Sequence, residues 1–337
     1  MKGAAAGVII SIICIYILGA RDFGGIFAEL FFYETIPGYN IMNNEPIMLF
    51  DGGYSESIEV VGKNDVEIKT KEAINGAIQD AVVLKDYSNF DELRKNFYVI
   101  DKRTGMTQDL FNVKNFMSCD LKLKGDDNKP KILIFHTHSR EMFADSDTSD
   151  INEGIVGAGE YLKELLENKY GIKCIHHTGS YDVVDGKSYI RGAYERMEPG
   201  VRKVINENPS LELAIDLHRD GIAEDKKLVT TINGKPTAKI MFFNGLCKLN
   251  ENGKLNDIAN LSNEYLSTNL ALSFQMELTA RKLYPGFTRK IYLNAYRYSL
   301  HMLPKSLLIE AGAQTNTKEE IYNAMELLAE ILNEVVG

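Results

Sequence analysis

From Pro130 onward the sequence predicts an α/β fold, a largely parallel or mixed sheet layered with helices. Three observations predict it. Short, continuously apolar runs recur and read as strands buried on both faces. Stretches with apolar residues at helical spacing separate those runs. Histidines and a glutamate stand at or just past the C-terminal ends of several runs, where open α/β sheets bind their ligands.

The elements follow in chain order. Gly3 to Ala20 (GAAAGVIISIICIYILGA) holds 18 consecutive residues without a charge. At ~1.5 Å per residue such a helix nearly spans a hydrocarbon core of about 30 Å. Residues 1–22 are therefore expected to form an uncleaved transmembrane anchor, since a signal cut after Ala20 would place the unsuitable Leu18 at −3. Lys2 points the N-terminus to the cytoplasm and the rest of the chain out of it. Arg21 to about Asn44 is aromatic and apolar, and reads equally as a juxtamembrane amphipathic helix or as core. Residues 23–128 as a whole are expected to form a small membrane-proximal region. The charged, turn-rich run Lys122–Lys129 (KLKGDDNK) closes it as a linker.

The domain expected over 129–337 begins with a strand at Ile132–Phe135 and a helix at Ile155–Tyr170. A strand at Ile172–Ile175 and a helix over Ser188–Asn206 follow, with Pro199 as a kink or break. Strands are expected at Leu211–Leu217 and Lys239–Phe243, and a long helix over Ile258–Leu283. A strand at Ser306–Ile309 and an amphipathic helix at Lys318–Val336 close the chain.

Composition removes several classes. Lys plus Arg number 38 against 47 Asp plus Glu, a net charge of −9, so the chain is not a broadly basic nucleic-acid binder. With 45% hydrophobic and 25% charged residues it is globular rather than disordered. Cys14, Cys119, Cys174 and Cys247 form no CxxC pair, which argues against a thiolate zinc site and a thioredoxin motif and for free buried thiols. Gly154, Gly157 and Gly159 make no phosphate loop, because no strand closely precedes them and no Lys-Ser/Thr follows.

The chemistry concentrates at strand ends. His136 and His138 follow ILIF, His218 follows LAIDL, and Glu310 follows SLLI. His136-Thr137-His138-Ser139-Arg140-Glu141 packs two imidazoles and a carboxylate into one turn, of which only one histidine is expected to bind a metal. In Asp216-Leu217-His218-Arg219-Asp220, His218 offers an imidazole whose tautomer Asp216 or Asp220 can fix. Two His and one Glu with an open fourth position make a catalytic rather than a structural zinc arrangement. The metal lowers the pKa of its bound water, and Glu310 is the carboxylate placed to shuttle the proton. His176 and His177 are expected to be structural. His301 is expected to be bland, with contact to substrate near Glu310 as its alternative. Glu160 and Glu164 read as a solvated helix face.

These segments resemble the stage II sporulation protein P family of endospore-forming bacteria. The carriers are ILIFHTHSREMF at 132–143, NPSLELAIDLHRDG at 208–221 and SLLIEAGAQTNTKEE at 306–320, within a resemblance running from Pro130 to Val336. It implies an N-acetylmuramoyl-L-alanine amidase-like sheet with flanking helices, preceded by the anchor and the membrane-proximal region. It implies zinc held by His136 and His218 with Glu141 as third ligand, a place His138 can also take, and Glu310 as catalytic acid/base. The implied substrate is peptidoglycan, cut between N-acetylmuramic acid and the stem peptide and also at peptide crosslinks, during engulfment of the forespore. The implied partners are stage II sporulation proteins D and M. The implied place is the cell membrane, with the domain between the mother-cell and forespore membranes. Two departures from the family's pattern touch substrate contacts rather than the metal: Tyr298-Ser299-Leu300 before the last strand, and Ala313 after Gly312. Arg219 is expected to orient Glu310 or stabilise an oxyanion, or else to pair with Asp216 or Asp220. The rival functions are a zinc endopeptidase or carboxypeptidase acting on stem peptides alone, and a weakly catalytic wall-binding scaffold.

Overall fold

A computed structural model describes residues 89–337. The expected anchor at 1–22, Cys14, the aromatic stretch 21–44 and the membrane-proximal region as far as residue 88 lie outside the described residues. Among the described residues no helix is long and apolar enough to cross a membrane.

Helix α1 (Phe90–Phe97) starts at Asn89, whose side chain accepts from the N–H groups of Asp91 and Glu92. It runs into strand β1 (Tyr98–Ile100). Helix α2 (Val113–Ser118) and strand β2 (Ile132–Phe135) follow. Helix α3 (Ile155–Tyr170) occupies the expected residues and ends on Gly171 at φ 73, the left-handed cap that glycine adopts freely. Strand β3 (Cys174–His177) precedes a small hairpin, β4 (Val183–Val184) and β5 (Lys187–Ser188). That hairpin takes the place where the next helix was expected to begin, so α4 is Ala193–Glu207. Pro199 lies inside it without ending it. Strand β6 (Leu213–Asp220) comes next, then the hairpin β7 (Val229–Ile232) and β8 (Lys235–Ala238) and strand β9 (Ile240–Gly245). The hairpin β10 (Lys248–Glu251) and β11 (Lys254–Asp257) precedes helix α5 (Leu266–Leu283), which opens later than the expected Ile258. Strand β12 (Ile291–Asn294), which the sequence reading did not foresee, leads to β13 (Lys305–Ala313) and α6 (Lys318–Val336).

Seven strands make one sheet in the order β1-β12-β9-β13-β6-β2-β3. The four strands β3, β2, β6 and β13 run parallel. Strands β9, β12 and β1 run parallel to one another and meet the first four at the antiparallel β13–β9 pair. The sheet is mixed, and both faces are covered. Alternation along β2 sends Ile132 and Ile134 into the core that contains Leu162 of α3 and Leu328 of α6. It sends Leu133 and Phe135 to the other side, against Met197 and Val201 of α4. This two-sided burial is why the strands read as unbroken apolar runs.

One expectation is corrected. Strand β1 pairs with β12 in the main sheet, and Leu93, Phe97, Phe111, Phe116 and Leu121 belong to the main core. Residues 90–121 are therefore part of the sheet domain and not of a region that ends at 128. The charged run at 122–129 is fastened to that domain: Leu123 N–H donates to Val336 O at 2.8 Å, and Lys124 N–H donates to Glu212 Oε1 at 2.7 Å. Its charges mark an exposed crossing between elements of one layer structure.

Candidate metal centre

The parallel strands β2, β6 and β13 place their C-terminal ends at one edge, and the site assembles there. The β2–β6 ladder stops at the pair Phe135–Asp216. Beyond it, side chains continue the connection. Thr137 N–H and Oγ1 donate to the two carboxylate oxygens of Asp216 at 2.9 and 2.7 Å. His136 Nδ1 donates to Leu217 O at 2.7 Å.

Past these clamps the loop turns His138 and Glu141 toward His218 of β6. Glu141 Oε1 stands 3.7 Å from His138 Nδ1, and its Oε2 stands 3.5 Å from His218 Nδ1. The two rings lie 5.1 Å apart at 85°. One donor atom from each residue falls within 4.8 Å of the others. Ligand atoms about 2.1 Å from a tetrahedral zinc stand about 3.4 Å apart, so the donor set fits such an ion. Asp216 Oδ1 lies 2.7 Å from His218 Nε2, which leaves Nδ1 as the donor nitrogen. Three candidate donor atoms, one each from His138, Glu141 and His218, thus share this edge of the sheet.

The electrostatics match. Burial opposes charge on His218, but the carboxylates of Asp216 and Glu141 outweigh it and raise its pKa well above the usual value. Burial acts the opposite way on Glu141, and His218 and His138 overcome it to hold that carboxyl well below its usual range.

Glu310 pairs in register with His218 across β13 and β6. It is fully buried, and neither carboxylate oxygen has a hydrogen-bond partner. Burial, then the neighbouring Asp220 carboxylate, raises its pKa well above normal. An unpartnered buried carboxyl is costly, and such a group beside an open ligand position is suited to hold and release a proton.

Two assignments are corrected. His136 is not in the cluster. Strict alternation would send residues two apart to the same side, but β2 ends at Phe135 and the loop turns between the two histidines. His136 Nε2 faces His176 Nε2 at 2.8 Å. Burial, then His176, push His136 down to about 3, so it is a neutral, hydrogen-bonded residue, and His138 stands in the cluster instead. Arg219 neither touches Glu310 nor pairs with Asp216 or Asp220. Its Nε donates to Met142 O at 3.1 Å and its Nη1 to the Asp220 carbonyl at 3.1 Å. Its backbone N–H donates to Glu141 Oε2 at 2.8 Å, so Arg219 holds the loop and the ligand carboxylate.

The remaining histidines lie apart. His177 Nε2 contacts Tyr181 Oη at 2.5 Å. His301 Nε2 lies 3.1 Å from Glu198. Glu160, expected to face solvent, reaches His176 Nδ1 at 2.7 Å. Sequence reasoning missed Arg289, whose Nη1 donates to Asp220 Oδ2 at 2.6 Å. It also missed Asp182, which accepts from Ser139 Oγ at 2.9 Å and Arg140 N–H at 3.1 Å. Neither lies in a motif, and only the fold brings them to the site.

The family model described as stage II sporulation protein P (SpoIIP) matches residues 33–333. A stage II sporulation protein P of Bacillus subtilis (strain 168) is 23% identical over 223 residues, covering 62% of this chain and 51% of the relative. The chain thus spans about half the length of that curated relative. Among solved structures, an N-acetylmuramoyl-L-alanine amidase from Clostridium difficile 630 overlaps 61% of this chain and 94% of its own at TM-score 0.36 and 14% identity. The CwlD amidase from Clostridioides difficile, in complex with the GerS lipoprotein, overlaps 60% and 96% at TM-score 0.37 and 14% identity. Overlaps this loose say nothing about the chemistry of the site.

Proposed function

The chain belongs to the stage II sporulation protein P family, and from that premise we propose that it is a zinc-dependent peptidoglycan hydrolase of sporulating cells. The bond cut is the amide between N-acetylmuramic acid and the stem peptide, with peptide crosslinks as a second target. The observation that carries this reading is one edge of the sheet on which His138, Glu141 and His218 converge beside the buried, unpartnered Glu310.

A bound zinc would supply Lewis acidity and a water of lowered pKa at the open position. The chain's own residues do the rest. Asp216 keeps the His218 proton on Nε2. Arg219 N–H holds one oxygen of Glu141. Glu310 accepts the proton of the attacking water and hands it to the leaving nitrogen as the carbon–nitrogen bond breaks. Its raised pKa suits it to hold that proton between the two transfers. Anchoring through residues 1–22, a site between the mother-cell and forespore membranes, and action with stage II sporulation proteins D and M are parts of the same proposal.

The test is product analysis of purified cell wall digested by the full chain. Glycan strands with free lactyl groups mark amidase action, and new peptide termini mark endopeptidase action. Glu310→Gln is expected to abolish both while zinc stays bound. Full activity in that variant would overturn the role of Glu310, and wall binding without any cleavage by the zinc-loaded parent would turn the reading to a scaffold.

A further inference from the structure

A chain of three short contacts runs behind the metal centre and takes no part in the chemistry above. His136 Nδ1 meets Leu217 O at 2.7 Å, His136 Nε2 meets His176 Nε2 at 2.8 Å, and His176 Nδ1 meets Glu160 Oε2 at 2.7 Å. The two rings stand edge to face, 5.1 Å apart. The helix behind them is cut to fit: a Cβ on Gly159 of α3 would lie 2.6 Å from His136 Nε2 and 2.9 Å from His176 Nε2.

Proton counting fixes how this chain is held. The Leu217 carbonyl can only accept, so His136 carries its proton on Nδ1 and presents a lone pair at Nε2. His176 must then donate from Nε2. Its Nδ1 faces a carboxylate that also only accepts, so Glu160 favours donation from that nitrogen as well, against burial, which lowers the His176 pKa. Removing Glu160 takes away the partner that holds the His176 ring at Nδ1, so the ring is free to turn and its donation to His136 Nε2 loses a fixed direction.

We propose that Glu160 and His176 lock His136 as a brace that sets the spacing between the metal ligands His138 and His218. His136 precedes His138 by two residues, and the carbonyl it clamps belongs to the residue before His218. It acts where the β2–β6 ladder has already ended at Phe135. The three are positioning residues: they touch neither ligand, and they fix the loop that carries one against the strand that carries the other. This inference rests on the metal-site reading for its purpose, though the contacts themselves do not.

The test uses the full chain with four variants: His176→Phe, which keeps the bulk, Glu160→Leu, Glu160→Gln and Lys163→Ala. The amide introduced by Glu160→Gln can donate an N–H to a neutral His176 and so keep its proton on Nε2, whereas the Glu160→Leu side chain cannot. Lys163 bonds Glu160 at 2.8 Å without touching the histidines and serves as the surface control. Zinc affinity is read by competition with a chromophoric chelator, and the cobalt(II)-substituted visible spectrum reports ligand geometry. His176→Phe and Glu160→Leu are expected to weaken zinc about tenfold, the lower end of the range for outer ligand supports, and to alter the cobalt spectrum. Glu160→Gln and Lys163→Ala are expected to stay near the parent. Unchanged affinity and spectrum in His176→Phe and Glu160→Leu, even with lowered melting temperatures, would reduce the trio to ordinary packing and overturn the brace. The metal-free chain gives a separate reading. A downfield proton resonance from the His136–His176 contact is expected in the parent and in Glu160→Gln and absent from His176→Phe. Its absence from the parent also overturns the brace, whereas a parent that shows it but binds no zinc overturns the metal site instead.

Discussion

At the scale of single residues the site turns on two histidines that the sequence presents as near equivalents. His136 and His138 share one turn, yet one ends with both ring nitrogens spent on Leu217 O and His176, and the other ends beside Glu141 and His218. The sequence led to the expectation that only one of them binds, and the structure places one of them, His138, in the cluster. The sequence could not show which, because the direction of a ring just past a strand end depends on the loop's turn and on partners 40 and 81 positions away. The two should separate cleanly in metal analysis. His138→Ala and His218→Ala each remove a donor atom and are expected to leave the purified chain with no stoichiometric zinc. His136→Gln removes only the clamp and is expected to retain zinc at an affinity reduced about tenfold. Stoichiometric zinc in His138→Ala would return His136 to the ligand set. Strand-end position and residue type pointed to Glu141 and Glu310, which the structure places beside His218, while of the two carboxylates offered for the His218 tautomer it is Asp216 that stands at Nε2. Arg219 was misread because its charge suggested a carboxylate partner, while its guanidinium reaches two carbonyls.

At the scale of elements, helices α3 and α4 each carry a test. In α3, Gly159 lies in a helix interior, where alanine would ordinarily gain about 1 kcal/mol. Here a Cβ meets both imidazoles under 3.0 Å, and the rings are held by three hydrogen bonds. Gly159→Ala is therefore expected to lower the melting temperature rather than raise it, and to weaken zinc binding together with it. In α4, Glu198 joins the helix to the segment 297–301 through His301 at 3.1 Å and Arg297 at 3.5 Å. The hydrogen bond from His301, against the opposing effect of burial, pulls the Glu198 carboxyl down to about 2. Its unfolded value is about 4.3. A depressed carboxylate stabilises the fold above the unfolded value, and that contribution fades as pH falls toward the folded one. Parent and Glu198→Gln should thus differ in melting temperature at pH 6 and converge between about pH 4.3 and 2. A gap that stays constant over that window would show that the ion pair contributes nothing. Elements were legible where one signal governs them. Helix α3 has helical spacing and a glycine stop, and the sequence places both its ends correctly. Strand β12 is four residues inside an aromatic loop-like stretch and gives no periodicity to read. The hairpins were overlooked although their turns carry the signal: Asp185-Gly186, Asn233-Gly234 and Asn252-Gly253 all adopt positive φ at both central residues.

At the scale of the whole described molecule, the central question is where the folding unit begins. The charged run 122–129 looks like a linker by composition, and a unit starting at 129 would keep His138, Glu141, His218 and Glu310. The sheet argues otherwise. Strand β1 forms its edge against β12, and helix α2 packs on α5, where Phe116 meets Phe274 at 5.5 Å between ring centroids. Leu93, Phe97, Phe111, Phe116 and Leu121 are all buried in the common core. Each side chain of this kind contributes about 1.5–3 kcal/mol on burial, so five contribute about 7–15 kcal/mol. A typical domain is stable by about 5–15 kcal/mol in all. Removing residues 89–128 thus takes away apolar burial comparable to the entire margin, and it leaves β12 as a bare edge strand with unpaired backbone groups. A fragment of residues 129–337 is expected to be insoluble or to melt without a cooperative transition, whereas a fragment of residues 89–337 is expected to show a single cooperative transition. Circular dichroism during thermal denaturation distinguishes them. A cooperative transition of equal midpoint in both would mean that β1, α1 and α2 are an appendage, and that the composition-based boundary at 129 describes the folding unit after all.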